Sequence, residues 1–172
     1  ISGLLADECQ TDAWGVDVVV SGSQKGFMLP PGLGFICLNA KAWKLVEVSK
    51  SSRYYLDLRK AKKALDKNDT PFTSSITLII ALNEALKMMQ QDGLENIFKR
   101  HRIMADATRS AMKALGMELF APGAASDGVT AAKVPAGIDG EKLVKTMRDT
   151  YGVTIAGGQA ELKGKIIRIA HM

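Results

Sequence analysis

The stretch SGSQKGFMLPPGLGF, residues 21–35, sets a single lysine, Lys25, directly behind the apolar run of residues 16–21. Such a β-branched run is typical of a strand that is covered on both faces in a parallel sheet. Residues 34–39 form a second run of this kind, which we expect to lie beside the first. Because sites in open α/β sheets form at the carboxyl ends of strands, Lys25 is a candidate site residue. From position alone, a surface lysine in a loop is the more common case.

The surroundings of Lys25 narrow its possible chemistry. Glycines with the spacing GxxxxGK[ST] would indicate a phosphate-binding loop, and the glycines here do not have that spacing. A lysine amine is a useful nucleophile or base when desolvation leaves it unprotonated near neutral pH. Phe27, Met28, Leu29 and the two prolines that follow predict an apolar wall that would desolvate it. The commonest use of such an amine is an imine with an aldehyde cofactor.

Composition excludes several classes of protein. The chain has 172 residues, 47% of them hydrophobic and 24% charged, which is typical of a globular protein of one domain or two small ones. A net charge of +5 with only 6% aromatic residues and no basic stripe argues against nucleic-acid binding. The longest apolar-rich stretch, residues 76–82, is far shorter than the roughly 20 residues of a membrane helix. Cys9 and Cys37 lack metal-ligand spacing, so we expect no metal site and two buried free thiols, as in a reducing cytoplasm.

The chain changes character near its middle. Before this point the pattern predicts helices over residues 40–47 and 76–89, with a polar segment, residues 49–68, that is either a solvated surface helix or a mobile loop. After it, helices are predicted over residues 94–115 and 139–151, and strands over residues 117–121, 128–135, 152–157 and 165–172. We expect an α/β part in residues 1–92 and a small α+β domain in residues 93–172. The ends of the sequence suggest a piece of a longer protein.

Residues 14–43, WGVDVVVSGSQKGFMLPPGLGFICLNAKAW, resemble the cofactor-lysine segment of one enzyme family. This family is the class V, fold-type I pyridoxal phosphate aminotransferases, in particular the alanine-glyoxylate and serine-glyoxylate branch. The likeness extends through TPFTSSITLIIALNEAL (residues 70–86), GLENIFKRHR (residues 93–102) and the end of the chain, residues 152–172. The resemblance implies the later part of a fold-type I large domain, followed by a small C-terminal α+β domain that is incomplete at its end.

The resemblance also implies roles for five residues. Lys25 matches the lysine that binds pyridoxal phosphate covalently, and Gln24 matches a contact to the cofactor phosphate. Thr73 matches a residue that reaches the phosphate bound by the partner subunit, and a hydroxyl at a helix start suits a phosphate on general grounds. Ile1 matches the aliphatic position that packs on the cofactor ring. Arg168 matches the arginine that binds the α-carboxylate of the substrate.

Arg168 can also be judged from its own strand. In KIIRIAHM, residues 165–172, alternation places Ile166, Arg168 and Ala170 on one face. A charged residue there is either exposed on the sheet surface or directed into a cleft. A planar guanidinium binds a carboxylate through two parallel hydrogen bonds, which lysine cannot reproduce. Recognition of an amino acid requires such a group.

The sequence departs from the family pattern in two ways. Thr70 stands where the family usually has an aromatic residue that contacts the phosphate of the neighbouring subunit. The acidic residue that pairs with the cofactor nitrogen would lie two positions before Ile1, and the phosphate cradle and ring-stacking residue would precede it. We therefore expect the 172 residues alone to have little or no activity.

The resemblance implies a cytoplasmic homodimer that moves an amino group between alanine or serine and glyoxylate or a similar 2-oxo acid. We expect it to have shared active sites and no nucleic-acid or membrane partner. Three alternatives stay open: an aminophosphonate aminotransferase, a lyase such as a cysteine desulfurase, and a non-catalytic interaction module on the same fold. A desulfurase needs a nucleophilic cysteine on a mobile loop, whereas Cys9 and Cys37 lie in strand-associated segments. We expect His101 to lie on a solvated basic helix face, and His171 to end a strand without a site role.

Overall fold

The structure is a computed structural model, and it describes residues 3–123 and 125–171. The chain forms two compact units. Unit 1 contains residues 9–88 together with residues 3–4, and unit 2 contains residues 89–171 together with residues 5–8. The two units divide inside a continuous helix. The domain boundary expected between residues 92 and 93 stays a prediction.

Unit 1 begins with a two-stranded antiparallel sheet. Strands β1 (Val18–Gly22) and β2 (Gly34–Leu38) pair so that Val18 lies opposite Leu38 and Gly22 opposite Gly34. The expectation that the two runs lie beside each other is confirmed. The expected cover on both faces is not found within the described residues, since Val20 and Ile36 share a face and are exposed. A β-branched run reports strand propensity, whereas parallel partners and cover depend on other parts of a fold.

Two helices follow the sheet. Helix α1 (Ala40–Val48) begins behind Asn39, whose side chain accepts a hydrogen bond from the Ala42 N–H at 2.9 Å. Helix α2 (Leu58–Leu65) resolves the choice between helix and loop in the polar segment. The expected solvation is wrong for Asp57, which caps α2 and is only 7% exposed. The polar sequence pattern did not predict this buried cap because most aspartates lie on solvated surfaces.

Helix α3 (Ile76–Asp92) is a confirmed prediction with an unexpected surface. Its apolar density suggested burial on most sides, yet Ile76 and Ile80 are 66% and 60% exposed, and only Ala85 and Met89 are buried among the residues of α3. The density of apolar residues shows that a helix prefers cover, but not that the cover lies in the described part of the chain. None of the described helices, α3 included, is long and apolar enough to cross a membrane.

Unit 2 packs two helices with a three-stranded antiparallel sheet. Its elements are α4 (Leu94–Ala114), β3 (Val129–Lys133), α5 (Gly140–Tyr151), β4 (Ala156–Gly157) and β5 (Ile166–Ala170). The strand order is β3-β5-β4, with β5 in the centre. The buried apolar residues of this unit include Ile97, Ala105, Leu119, Ala132, Ile166 and Ile167. The sheet and its helices therefore have their own core.

The strand predictions in unit 2 succeed unevenly. The strands expected over residues 128–135 and 165–172 are present as β3 and β5. Where a strand was expected over residues 117–121, the described residues form a single isolated β-bridge, between Leu119 and Ala132. The strand expected over residues 152–157 shrinks to β4. The expected and observed strands differ in length because alternation predicts an extended segment, whereas the length of a strand depends on the neighbouring strand with which it can form hydrogen bonds.

Helix α5 has the ends that the sequence predicts. The Asp139 carboxylate accepts hydrogen bonds from the N–H groups of Glu141 and Lys142 at 2.9 and 3.1 Å. Gly152 ends the helix in a left-handed conformation with φ of 66°. These two devices satisfy backbone groups that a helix leaves free at its ends, so the element could be bounded from sequence.

Three further expectations about side chains were wrong. His101 is only 7% exposed, and its Nδ1 lies 2.8 Å from the Ile97 carbonyl oxygen one turn earlier. Because a carbonyl can only accept, Nδ1 carries the proton in this contact. Cys37 is exposed and Cys9 half-buried, so neither is a buried thiol. The basic neighbours of His101 and the apolar neighbours of Cys37 misled the interpretation, since adjacent residues on a helix or strand face different directions.

Candidate active site

Lys25 lies in an exposed turn immediately after β1. The Met28 N–H donates to the Lys25 carbonyl at 2.8 Å, which closes the turn, and Met28 has a left-handed φ of 57°. Leu29 is buried, whereas Met28 is exposed. The apolar wall that was expected to desolvate Lys25 is therefore incomplete among the described residues. Lys25 itself is exposed near the end of a strand, where a ligand can reach it.

The loop that carries Lys25 is closed by backbone hydrogen bonds on both sides. The Ser23 N–H donates to the Leu33 carbonyl at 3.0 Å, which extends the β1–β2 ladder by one pair. The Leu29 N–H donates to the Ser23 carbonyl at 3.1 Å. Residues 23–33 are thereby a structured loop with fixed ends, and the position of Lys25 follows from them.

Glycines allow close approach on both sides of this loop. A Cβ atom added at Gly22 would lie 2.8 Å from Oε1 of Gln24, so the missing side chain lets Gln24 fold over the strand end. A Cβ atom added at Gly32 would lie 2.5 Å from Cδ1 of Leu78 in α3, and Gly32 has φ of 148°. The loop therefore packs directly on α3 within unit 1, and the positive φ of Gly32 favours glycine at this point.

Thr73 lies just before α3 and is exposed. Its segment is held by Phe72, whose ring centroid lies 5.8 Å from that of Tyr54 and 4.8 Å from that of Tyr55. The Thr70 hydroxyl donates to the Phe72 carbonyl at 2.7 Å, so here it serves the turn. Thr73 thus lies three residues before Ile76, where α3 begins, and the N–H groups of a helix start favour an anion.

Arg168 lies at the centre of β5 and is half-buried. Its neighbours across the sheet are Ala131 on β3 and Ala156 on β4, whose small side chains leave room beside it. Its Nε donates to the Gly157 carbonyl at 2.9 Å, which fixes the plane of the guanidinium. Within the described residues no carboxylate lies within 4.0 Å of its nitrogen atoms. A half-buried guanidinium without an acidic partner is suited to bind an external anion.

The structure places the predicted site residues in separate units. Lys25, Gln24 and Thr73 belong to unit 1, and Arg168 belongs to unit 2. Ile1 lies outside the described residues. Sequence reasoning missed Ser23 and Gly32, which shape the lysine loop. The PPGLG sequence hinted at a special backbone at Gly32, whereas nothing in the sequence distinguishes Ser23 from a surface serine.

The residues present suit pyridoxal phosphate. Lys25 is exposed and would offer an amine to the aldehyde, and Gln24 and Thr73 would offer an amide and a hydroxyl of the kind that bind phosphate. Arg168 would offer the cation that an amino-acid carboxylate requires. Each group is on the protein surface or half-buried, so no rearrangement of a packed core is needed for a ligand to reach it. The donor set thus matches a cofactor with an aldehyde and a phosphate, used on an amino acid.

Comparison with known proteins supports this interpretation. The family described as "Aminotransferase class-V" matches residues 2–167. The "Soluble hydrogenase 42 kDa subunit" of Anabaena cylindrica is 46% identical over 173 residues, which cover 100% of this chain and 45% of that protein. The "Serine--glyoxylate aminotransferase" of Methylorubrum extorquens is 38% identical over 170 residues, which cover 95% of this chain and 42% of that protein. The chain thus spans less than half the length of these relatives.

A solved structure shows the same fold. The alanine--glyoxylate aminotransferase of Nostoc sp. matches with a TM-score of 0.91 and 27% identity, over 100% of this chain and 47% of that one. The expected fold class, part of a fold-type I large domain followed by a small α+β domain, is therefore confirmed. The family implies pyridoxal phosphate as the cofactor. The family match covers nearly the whole sequence, and the chain belongs to the class V aminotransferases.

Proposed function

We propose that the protein which carries this chain is a pyridoxal phosphate-dependent transaminase. It moves an amino group between a small amino acid, alanine or serine, and glyoxylate or a similar 2-oxo acid. The observation that carries the proposal is the half-buried guanidinium of Arg168, which has a fixed plane and no acidic partner among the described residues. Together with the amine of the exposed Lys25, it provides the two groups that an amino-acid substrate requires.

Lys25 has two tasks in this proposal. Its amine binds the cofactor. Once released from the cofactor, the amine takes a proton from the α-carbon of the substrate and gives a proton back as the product forms. When bound, pyridoxal phosphate supplies an electron sink for the charge that develops at that carbon. The turn between Lys25 and Met28 keeps the amine close to the end of β1, so that its travel is limited to the length of its own side chain.

Arg168 orients the substrate. Because its Nε is committed to the Gly157 carbonyl, the terminal nitrogen atoms are left to face an α-carboxylate. Ala131 and Ala156 flank it and add no bulk. A fixed guanidinium between two alanines favours a small substrate held by its carboxylate, in agreement with alanine or serine as amino donor.

Gln24 and Thr73 complete the cofactor site in this proposal, with Ile1 against the ring. Thr73 serves the cofactor of a second subunit, so the enzyme is a homodimer with shared active sites. The exposed apolar surface at the start of α3, with Ile76 and Ile80, is what a subunit interface would cover. We place the enzyme in the cytoplasm, where the exposed Cys37 stays reduced.

One relative carries the name of a hydrogenase subunit, whereas another is named as an aminotransferase. Cys37 lies inside β2 opposite Val19 and not on a loop, which disfavours it as the nucleophile of a desulfurase. Cys9 lies outside the strands, contrary to the expectation for it. A screen of the complete protein resolves these possibilities. Alanine, serine and aspartate are each offered as donors to glyoxylate and to pyruvate. We expect fastest glycine formation from glyoxylate with alanine or serine. Fastest transfer from aspartate would refute the proposed donor, and absence of any transfer would refute the proposed activity.

A further inference from the structure

Ser23 is a fully buried side chain two residues before Lys25, with 0% of its surface exposed. Its hydroxyl donates to the Pro30 carbonyl at 2.7 Å and accepts from the Leu33 N–H at 3.1 Å. Its backbone N–H and carbonyl are both bonded as well, to Leu33 and Leu29. Each polar group of this serine therefore has a partner, and all the partners lie on the returning side of the loop.

The hydroxyl of Ser23 does what the backbone alone cannot do at this place. Pro30 and Pro31 have no N–H groups, so the returning side of the loop can offer few ladder hydrogen bonds to the outgoing side. A side-chain hydroxyl that both donates and accepts bridges this gap with two hydrogen bonds. The turn of Lys25 lies between the two segments that Ser23 joins.

Removal of the hydroxyl would leave two backbone groups without their partner. The Pro30 carbonyl and the Leu33 N–H would then seek water, because buried polar groups without hydrogen bonds are costly. The two bonds are part-buried, but Ser23 itself is fully enclosed, so a water could take the place of its hydroxyl if the returning side of the loop moved away from Ser23. Since that movement changes the path of residues 23–33, it also changes the direction in which the Lys25 amine points.

We propose that Ser23 is a positioning residue for Lys25, acting through the shape of the loop and not by contact with cofactor or substrate. The proposal rests on the proposed function, because it concerns the approach of the lysine to pyridoxal phosphate. Ser23 fixes the loop so that the amine meets the cofactor aldehyde in a single geometry. A serine used merely for stability would influence unfolding alone.

The test compares the complete protein with its Ser23→Ala and Ser23→Cys variants, with Ser52→Ala as a matched control at an exposed serine. Three quantities are measured: the dissociation constant of pyridoxal phosphate, the rate of its covalent attachment, and hydrogen exchange at the Leu33 N–H. For Ser23→Ala we expect about tenfold weaker cofactor binding, in keeping with the loss of one buried hydrogen-bonding group. In this variant we also expect slower covalent attachment of the cofactor and faster hydrogen exchange at the Leu33 N–H. Ser23→Cys, with a weaker donor of similar shape, gives intermediate values.

The outcomes separate the positioning role from the proposed function. If Leu33 exchange accelerates in Ser23→Ala while cofactor affinity and attachment rate match the wild type, the positioning role is overturned and the transaminase proposal stands. If the wild-type protein itself takes up no pyridoxal phosphate, the proposed function fails, and the Ser23 proposal fails with it. A parallel loss in Ser52→Ala would also overturn it, because the effect would then not be specific to the loop.

Discussion

The lysine loop of unit 1, residues 23–33, and strand β5 of unit 2, which carries Arg168, position their candidate site residues by different means. Lys25 lies in a turn whose shape depends on a buried serine and on a glycine with φ of 148°. Arg168 lies in the middle of a regular strand, with hydrogen-bonded neighbours on both sides. The loop is specified by individual residues, whereas the strand is specified by a repeating pattern.

This difference determines how each region responds to change. In a regular antiparallel sheet the direction of a side chain follows from the register, so replacement of Arg168 changes the functional group and little else. In the loop, direction depends on a few contacts, so replacement of a small residue far from the chemistry can displace Lys25. The predictions below test this contrast, in order of decreasing effect.

The largest effect is expected for Lys25→Ala in the complete protein. Loss of the amine removes both the cofactor attachment and the proton transfer at the α-carbon, so kcat should fall by about a thousandfold or more. The measurement is steady-state transamination together with the visible absorbance of the bound cofactor. Lys44→Ala, at an exposed position of α1, serves as the control and should keep the turnover and the cofactor absorbance of the wild type. A Lys25→Ala enzyme with wild-type turnover would contradict the role of this lysine.

A smaller and more selective effect is expected for Arg168→Lys. The charge stays but the paired hydrogen bonds to a carboxylate are lost, so KM for the amino donor should rise about tenfold to a hundredfold. Because the strand is regular, the free energy of unfolding and the cofactor affinity should stay near those of the wild type. Arg148→Lys, on the exposed surface of α5, is the matched control. An unchanged KM in Arg168→Lys would show that the carboxylate is bound elsewhere.

Gly32→Ala tests how strongly the loop depends on one small residue. The new Cβ would lie 2.5 Å from Cδ1 of Leu78, and φ of 148° is unfavourable for alanine. We expect a loss of about 1–3 kcal/mol in the free energy of unfolding, measured with urea, and weaker cofactor binding. Gly34→Ala is the control, since its Cβ would meet no atom within 4 Å. Equal stability of the two variants would refute the close packing of the loop on α3.

The smallest effect concerns the acid sensitivity of unit 1. A hydrogen bond from Arg59 holds the pKa of the Asp57 carboxyl below its ordinary value, with further help from the charge of Arg53. Stability from a lowered pKa is present above the unfolded value, near 3.8, and is lost as pH falls through the folded value. Asp57→Asn should therefore be less stable than the wild type near neutral pH, and the gap should narrow below about pH 4. A gap independent of pH would contradict the ion pairs seen at Asp57.

Regular elements could be predicted from sequence because their determinants are local. The α5 boundaries follow from Asp139 and Gly152, and the central strand β5 follows from alternation around Arg168. The position of Lys25 after β1 was likewise predictable, since a β-branched run ends there. In these cases the residues that determine the element lie within a short stretch of sequence.

The features that could not be predicted depend on contacts between distant residues. The burial of His101 and the exposure of Ile76 depend on what each helix packs against. The contact of Gly32 with Leu78 joins residues 46 positions apart in sequence, and no pattern reports it. The role of Ser23 depends on how the loop returns after its two prolines. Sequence thus predicts the candidate residues of the site better than the contacts that hold them.

The most direct test is to find where pyridoxal phosphate is attached. The complete protein is incubated with the cofactor, the bond is reduced with borohydride, and peptides are mapped by mass spectrometry. The proposed role of the loop predicts that the added mass lies on Lys25, in the peptide that contains SGSQK, and that it is absent from the Lys25→Ala variant. Attachment to a different lysine, or no attachment at all, would contradict it.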